Sequence, residues 1–318
     1  MAENIYFEVT NACMHACATC PHGSHNKRSS VYFTPVDDLI RIVSDAMEKK
    51  NVRSVTISGG EPLLHPDIVE IVSKLTNMGL HITMLSNLQI LVSNGLAERL
   101  AQAAPHMTMV TALHSIDPEV HDSITNHPGS FSAALAGIDE LSRLHMDVVI
   151  KVILSLRTCR ELPAIGQMLL KHWGKSVRLN LCGLDLCGVR NDEIMKYPVN
   201  LPQEGPLIEQ FLDDISPIYG EQVQRFISIT EYPLCWIDPY FWKLFHLGSS
   251  RVMAYVQEDR MNTSDTLRTE STCGCHPQKC QSCVASSICP GVWWSVYCAY
   301  GEECVRPYLP NAHASADQ

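Results

Sequence analysis

The chain has 318 residues, 46% hydrophobic and 18% charged, the balance of a globular protein long enough for a barrel plus a smaller appendage. A net charge of -10 with a pI near 5.7 excludes a broad nucleic-acid surface, which needs a basic face. No basic segment followed by an apolar run marks secretion, and Lys151 interrupts the most apolar stretch, so a cytoplasmic protein with no membrane span is expected.

In chain order, an apolar strand at residues 5–9 opens into Cys13-Met14-His15-Ala16-Cys17-Ala18-Thr19-Cys20. Thr34-Pro35-Val36-Asp37-Asp38 then starts a helix, with a hydroxyl cap, proline in the first turn and early acids. Strands are predicted at 52–58, 80–86, 107–113, 148–154 and 177–181, and helices at 66–78, 97–104, 131–144 and 161–172. Six strands alternating with helices imply a parallel sheet of βα units, short of the eight of a closed barrel. The fold class expected is α/β, an open or partial (β/α)6 barrel with ligands at the carboxyl ends of the strands. Beyond residue 184 prolines break the pattern, with a helix expected at 206–215 and a strand at 223–229. The domain boundary is placed near residue 200, giving a core over 1–200, a Cys-rich domain over 201–309 and a frayed tail over 310–318.

Fourteen cysteines in a compartment that keeps thiols reduced point to metal or redox ligands rather than disulfides. Three sit in the 13–20 loop, eight fall between 235 and 304, and Cys159, Cys182 and Cys187 are scattered and read as small core residues. Three thiolates in one loop hold a four-iron cluster with one iron left open, or a zinc with His22 or His25 as fourth ligand. At the end of the second strand, Gly59-Gly60-Glu61-Pro62 combines two permissive residues, which let backbone approach a ligand, with an acid able to receive an ammonium group. Lys151 lies inside an apolar strand, where it either faces the barrel interior or snorkels to the surface. His65, His106, His145 and His172 read as capping or surface residues.

The C-x3-C-x2-C triplet followed one βα unit later by Gly-Gly-Glu-Pro resembles the radical S-adenosylmethionine (SAM) superfamily, over residues 5–184. The resemblance implies a [4Fe–4S] cluster on Cys13, Cys17 and Cys20 whose open iron chelates SAM. It implies contacts to SAM from Gly59, Gly60, Glu61 and Pro62, from Ser86 and Asn87 near the ribose, from Ser115, and from Lys151 to the carboxylate. Ser86 and Asn87 equally suit a helix cap. Relatives often carry an aromatic before the third cysteine, where this chain has Thr19, so adenine packing departs from the family pattern.

Near the end, Cys280-Gln281-Ser282-Cys283 and Cys289 resemble the auxiliary-cluster extensions called SPASM and Twitch. Cys235, in Tyr232-Pro233-Leu234-Cys235-Trp236, is the first choice of fourth ligand, with Cys273, Cys275, Cys298 and Cys304 as alternatives. Met253 stands where the full SPASM pattern has a cysteine after Gly248, so one auxiliary [4Fe–4S] cluster is expected; structural zinc is the rival. Leu113-His114-Ser115, His121-Asp122, Pro128-Gly129-Ser130-Phe131, Gly137-Ile138 and Cys182-Gly183-Leu184-Asp185 with Gly188 and Asn191 are similar to radical SAM maturases of the His-Xaa-Ser peptide system. That implies reductive SAM cleavage, hydrogen abstraction by a 5′-deoxyadenosyl radical, a ribosomally made peptide substrate, and an electron donor such as flavodoxin or ferredoxin. A radical enzyme acting on a small metabolite shares every motif, and a non-catalytic zinc-binding module shares the cysteines. No general acid or base is assigned.

Overall fold

The computed structural model describes residues 3–20, 30–187, 189, 197–245, 250–254, 267–271 and 274–309. His22, His25, Gly188, Asn191, Gly248, Cys273 and the tail from 310 therefore lie outside the described residues.

Successive strands and helices alternate as expected: β1 (Glu3–Thr10), α1 (Val36–Lys50), β2 (Val52–Gly59), α2 (Ile68–Asn77), β3 (His81–Leu85), α3 (Leu96–Ala103), β4 (Thr108–Ala112), α4 (Pro118–Thr125), α5 (Ser130–Arg143), β5 (Asp147–Leu154), α6 (Leu156–His172) and β6 (Val177–Gly183). Beyond them come α7 (Leu201–Tyr219), the single turn α8 (Val223–Phe226), β7 (Ile227–Thr230), β8 (Ser250–Ala254), β9 (Leu267–Ser271) and α9 (Trp294–Tyr300). All are joined in one sheet of order β7-β6-β5-β4-β3-β2-β1-β8-β9. Every neighbouring pair is parallel except β8 with β9. The six-strand core is present, and the chain beyond residue 200 lengthens it at both edges: β7 adds beside β6, β8 beside β1. Because the eight parallel strands all run one way, every strand end that carries chemistry lies on the same rim.

Side-chain alternation gives the sheet its two faces. On β5, Val148, Ile150, Val152 and Leu154 are fully buried, while Val149, Lys151 and Ile153 between them are half-buried. Each buried aliphatic side chain contributes about 1.5–3 kcal/mol through lost water contact, and the outward positions of β1 (Ile5, Phe7, Val9) pack with Leu39 and Val43 of α1 in the same core. The inward face is polar: Asn4 bonds Ser54 and Thr56, Tyr6 bonds Ser58, and Asn180 bonds Ser228 and Thr230.

Several local expectations are corrected. Thr34 does not cap α1: Pro35 occupies the cap position, and the buried Thr34 hydroxyl has no hydrogen-bond partner among the described residues. α6 starts five residues earlier than its apolar periodicity suggests, because Ser155 and Thr158 form a reciprocal capping box. α4 was hidden by its shortness, yet Asp117 caps it by accepting from the Glu119 and Val120 amides, with Pro118 in the first turn. α7 runs through Pro206 and Pro217, and residues 223–226 form a helical turn before β7 rather than part of a strand. Of the scattered cysteines, Cys159 and Cys182 are buried, but Cys187 is exposed. Of the histidines read as capping or surface residues, His65 caps: it closes the 3₁₀ turn at Pro62–Leu64 and its Nδ1 accepts from Asp67 N (3.1 Å), while the ring is buried with Nε2 2.9 Å from the Thr34 carbonyl.

Candidate functional site

The cysteine loop leaves the end of β1 and is pinned from three directions. Asn11 brackets it from one side, donating to Ser30 O (2.9 Å) and accepting from Tyr32 N (2.9 Å). From β2, Gly60 N donates to Thr10 O (2.7 Å) and Glu61 N to Ala12 O (2.6 Å). From α4, the Thr125 and Ile124 carbonyls accept Ala16 N (3.1 Å) and Ala18 N (2.8 Å), while His15 stacks on His127 with ring centroids 4.7 Å apart. These contacts make the loop's shape a property of the strand ends around it.

The two glycines are explained by this approach. Gly59 has φ +120°, and a Cβ there would lie 2.2 Å from Thr10 O; at Gly60 it would lie 2.1 Å from Ala12 O. The close backbone they admit is the cysteine loop. Glu61 is buried and holds three donors, Leu63 N (3.0 Å), Ser86 Oγ (2.8 Å) and Asn87 N (2.7 Å). Burial pushes its carboxyl up to about 6 despite those bonds. In this state Glu61 ties the end of β2 to the end of β3; Ser86 is spent on that tie, and the Asn87 side chain points at Cys13 and Met14.

Cys13, Cys17 and Cys20 are each half-buried. Burial, with the neighbouring thiols adding to it, pushes Cys17 up to about 12; burial likewise pushes Cys13 up to about 11. Three thiolates so placed need a bound cation to become ionised together. The donor set, three soft thiolates on one loop, fits an iron–sulfur cluster.

Of the remaining predicted contacts, Ser115 follows the end of β4 and Lys151 lies within β5. Ser115 is fully buried, donating to Glu161 Oε2 (2.7 Å) and accepting from Asp117 N (3.0 Å). His121 Nδ1 accepts from His114 N (3.2 Å), and burial pushes His114 down to about 3 and His121 down to about 4, so both are neutral. Asp122 accepts from Gly129 N (2.6 Å), Ser130 Oγ (2.8 Å) and Phe131 N (2.8 Å). The His-Asp and Pro-Gly-Ser-Phe segments are thereby one clasp around the start of α5. Lys151 faces inward beside Asn180 of β6, in the field of Cys182, whose thiol lies 2.9 Å from Glu231 Oε2. Glu231 has φ 58°, and Gly183 leaves the room it needs, since a Cβ there would lie 1.9 Å from Glu231 O. Sequence reasoning named Lys151 and Cys182 but missed Glu231; the charged Lys151 within an apolar strand was the signal that this face is polar.

The C-terminal cysteines converge from distant positions. Cys235, Cys280, Cys283 and Cys289 all line one largely apolar hollow, with His276, Val305 and Pro307. Backbone amides point at the sulfurs: Arg306 N at Cys235 (3.3 Å), Leu234 N and Gly291 N at Cys289 (3.5 and 3.4 Å). Burial, with the other thiols adding to it, raises Cys235 to about 12 and Cys280 to about 11. Four thiols with amides on their sulfurs fit an auxiliary cluster. Among the described residues no group of three or more His, Cys, Asp or Glu side chains is gathered as ligands of a single metal ion. Cys275, Cys298 and Cys304 are not in this lining: Cys275 pairs its backbone with Val292, Cys298 is exposed and Cys304 is buried. Among the described residues no helix is long and apolar enough to cross a membrane.

Comparison with known proteins agrees with this geometry. Residues 7–158 match the family model described as the Radical SAM superfamily, whose members use a [4Fe–4S] cluster and SAM. A probable GTP 3′,8-cyclase of Methanocaldococcus jannaschii is 29% identical over 178 residues, covering 52% of this chain and 58% of that protein. The mycofactocin maturase MftC of Mycobacterium tuberculosis is 28% identical over 175 residues, covering 54% of this chain and 43% of that one. The chain thus spans about half the length of the curated relatives it matches. The structure of Streptococcus suis SuiB bound to precursor peptide SuiA superposes with a TM-score of 0.67 at 14% identity, over 98% of this chain and 75% of that one.

Proposed function

Residues 7–158 form a radical SAM domain, and from that premise we propose that the chain is a peptide-modifying enzyme with one auxiliary [4Fe–4S] cluster. The observation that carries it is the convergence of Cys235, Cys280, Cys283 and Cys289 on one hollow, in a chain whose N-terminal loop offers three thiolates and no fourth among the described residues. When bound, the N-terminal cluster supplies an electron to SAM, yielding the 5′-deoxyadenosyl radical that takes a hydrogen atom from the substrate.

The chain's own residues bind and exclude. Cys13, Cys17 and Cys20 hold the N-terminal cluster; Gly59 and Gly60 admit their loop; Glu61 fixes the β2 and β3 ends around it. Pro62, Ser115 and Lys151 are the residues that would contact SAM, Ser115 once released from Glu161. Cys235, Cys280, Cys283 and Cys289 hold the auxiliary cluster. A core over 1–200, a cluster-bearing part over 201–309, a flavodoxin or ferredoxin as electron source and a cytoplasmic setting complete the reading.

The peptide substrate is supported by the likeness of fold to SuiB with its precursor peptide, and by the maturase among the relatives. A second reading, a small metabolite as substrate, is favoured by the GTP cyclase relative. Anaerobic co-expression with a candidate short peptide, followed by mass spectrometry, separates them. A mass change in one peptide is expected; unchanged peptides together with turnover of GTP by purified protein overturn the peptide reading.

A further inference from the structure

The segment after β3, Ser86-Asn87-Leu88-Gln89, joins a left-handed backbone to a buried anchor. Leu88 has φ 59°, a left-handed conformation that costs a branched residue roughly 1–2 kcal/mol, and its side chain is fully buried. The space it enters exists because α5 carries glycine opposite: a Cβ at Gly137 would lie 2.7 Å from Leu88 Cβ and 3.0 Å from its Cδ1. A strained, anchored residue persists when the surroundings over-determine it, and such sites cluster where geometry is used.

The residues on either side of Leu88 are the ones that reach the cysteine loop. Asn87 N donates to Glu61 Oε2 (2.7 Å), and Asn87 Oδ1 accepts from Gln89 N (2.9 Å). A backbone N–H only donates, so that bond fixes which end of the amide is oxygen and turns the NH₂ group the other way. There Nδ2 lies 3.9 Å from Cys13 Sγ and 4.0 Å from Met14 Sδ. Gln89 Oε1 meets His15 Nε2 at 3.3 Å, so the same segment grips the loop a second time, between Cys13 and Cys17.

We propose that Asn87 is a hydrogen-bond donor to the Cys13 sulfur that tunes the N-terminal cluster, and that Leu88, seated against Gly137, is the anchor that positions it. The inference rests on the reading that Cys13 ligates a cluster. A donor aimed at a ligand sulfur stabilises the more negative, reduced state, and hydrogen bonds to cluster sulfurs are among the determinants of reduction potential. Asn87 is then a positioning and tuning residue rather than a ribose contact.

The test is a redox titration of the anaerobically reconstituted full chain, followed by the electron paramagnetic resonance signal that responds to added SAM. Asn87→Leu is expected to take up wild-type iron but to need a more negative potential. At fixed solution potential its reduced-to-oxidised ratio should fall about tenfold, equivalent to about 59 mV for one electron. Gly137→Ala, which leaves every group at the sulfur in place and lifts only Leu88, should move the potential the same way by less. Asn87→Gln, keeping an amide, should recover part of the Asn87→Leu shift. A wild-type potential in both Asn87→Leu and Gly137→Ala overturns the proposal, as does an Asn87→Leu variant that needs more SAM while its SAM-free cluster titrates unchanged. Should Asn87→Leu load less iron, the Gly137→Ala titration decides alone. Wild-type protein that takes up no cluster overturns the premise, and this inference with it.

Discussion

Cys13, Cys17 and Cys20 come from one loop and are shaped by the backbones of β1, β2 and α4, whereas Cys235, Cys280, Cys283 and Cys289 are gathered from separate segments around a hollow. The first arrangement is set by hydrogen bonds from neighbouring strand ends, and it offers three thiolates. The second is held by short 3₁₀ turns, isolated bridges and aromatic packing, and it offers four. A centre with a missing ligand suits chemistry at an open iron; a fully ligated one suits structure or electron storage. Construction and chemistry differ together, and each half of that contrast can be broken separately.

The largest effect is expected from Cys17→Ala, which should reduce 5′-deoxyadenosine formation to background. Activity surviving in this variant would remove the N-terminal loop from the chemistry. Cys283→Ala should leave SAM cleavage in place while product formation is lost, as read by chromatography of the nucleoside beside mass spectrometry of the peptide. Equal product from variant and wild type would reduce the C-terminal hollow to a structural feature.

Gly60→Ala tests whether the N-terminal loop is shaped by β2. The added methyl meets Ala12 O at 2.1 Å, and backbone cannot step aside cheaply, so iron retained per chain after reconstitution should fall toward about half, the N-terminal share being lost while the C-terminal iron stays. Loss of all iron would mean that the two centres are not independent.

On the C-terminal side, Glu204 is buried beneath Tyr232, accepting from Asn200 N (2.8 Å) and from the Tyr232 hydroxyl (3.5 Å). Burial pushes its carboxyl up to about 7. Unfolded, it titrates near about 4.3. Between these values the folded chain holds a proton that the unfolded chain has released, so stability is full below the lower value and declines as pH rises toward the upper one. The decline is on the order of 3 kcal/mol. Between pH 5 and pH 8, denaturant unfolding should show a larger loss of stability in the wild type than in Glu204→Gln, where the decline from Glu61 alone remains; parallel curves for the two proteins would refute the assignment. The smallest effect is expected from Glu231→Gly. Relief of its left-handed backbone, partly offset by a looser unfolded chain, should raise thermal stability by up to about 1 kcal/mol. A clear loss instead would mean that the carboxylate beside Cys182 contributes more than the strain costs.

How far these features can be read from residues alone follows from what is local. The alternation of β5 and the order of strands through β6 are periodic signals, and the cysteine triplet with Gly59 to Pro62 is a contiguous pattern, so both were legible. Cys235 stood out through its Pro-Leu-Cys setting, and it lines the same hollow as Cys280, Cys283 and Cys289; its role as a ligand is the proposal made above. The return of β8 to the side of β1, across more than two hundred residues, has no local signal. The same holds for the Gly137 notch, since a helical glycine declares its purpose only once Leu88 lies against it. The roles given to Ser86 and Asn87 were drawn from position at a strand end; the tie to Glu61 and the turn of the Asn87 amide toward Cys13 depend on contacts 25 or more residues apart.

The central claim is that the 13–20 loop carries a cluster that cleaves SAM. Its most direct measurement is 5′-deoxyadenosine produced from SAM by anaerobically reconstituted protein in the presence of dithionite, with iron, sulfide and zinc quantified in the same sample. The account predicts iron and sulfide in both centres, a nucleoside yield that depends on reductant, and no stoichiometric zinc. Stoichiometric zinc, with no 5′-deoxyadenosine above the level of Cys17→Ala, would contradict it.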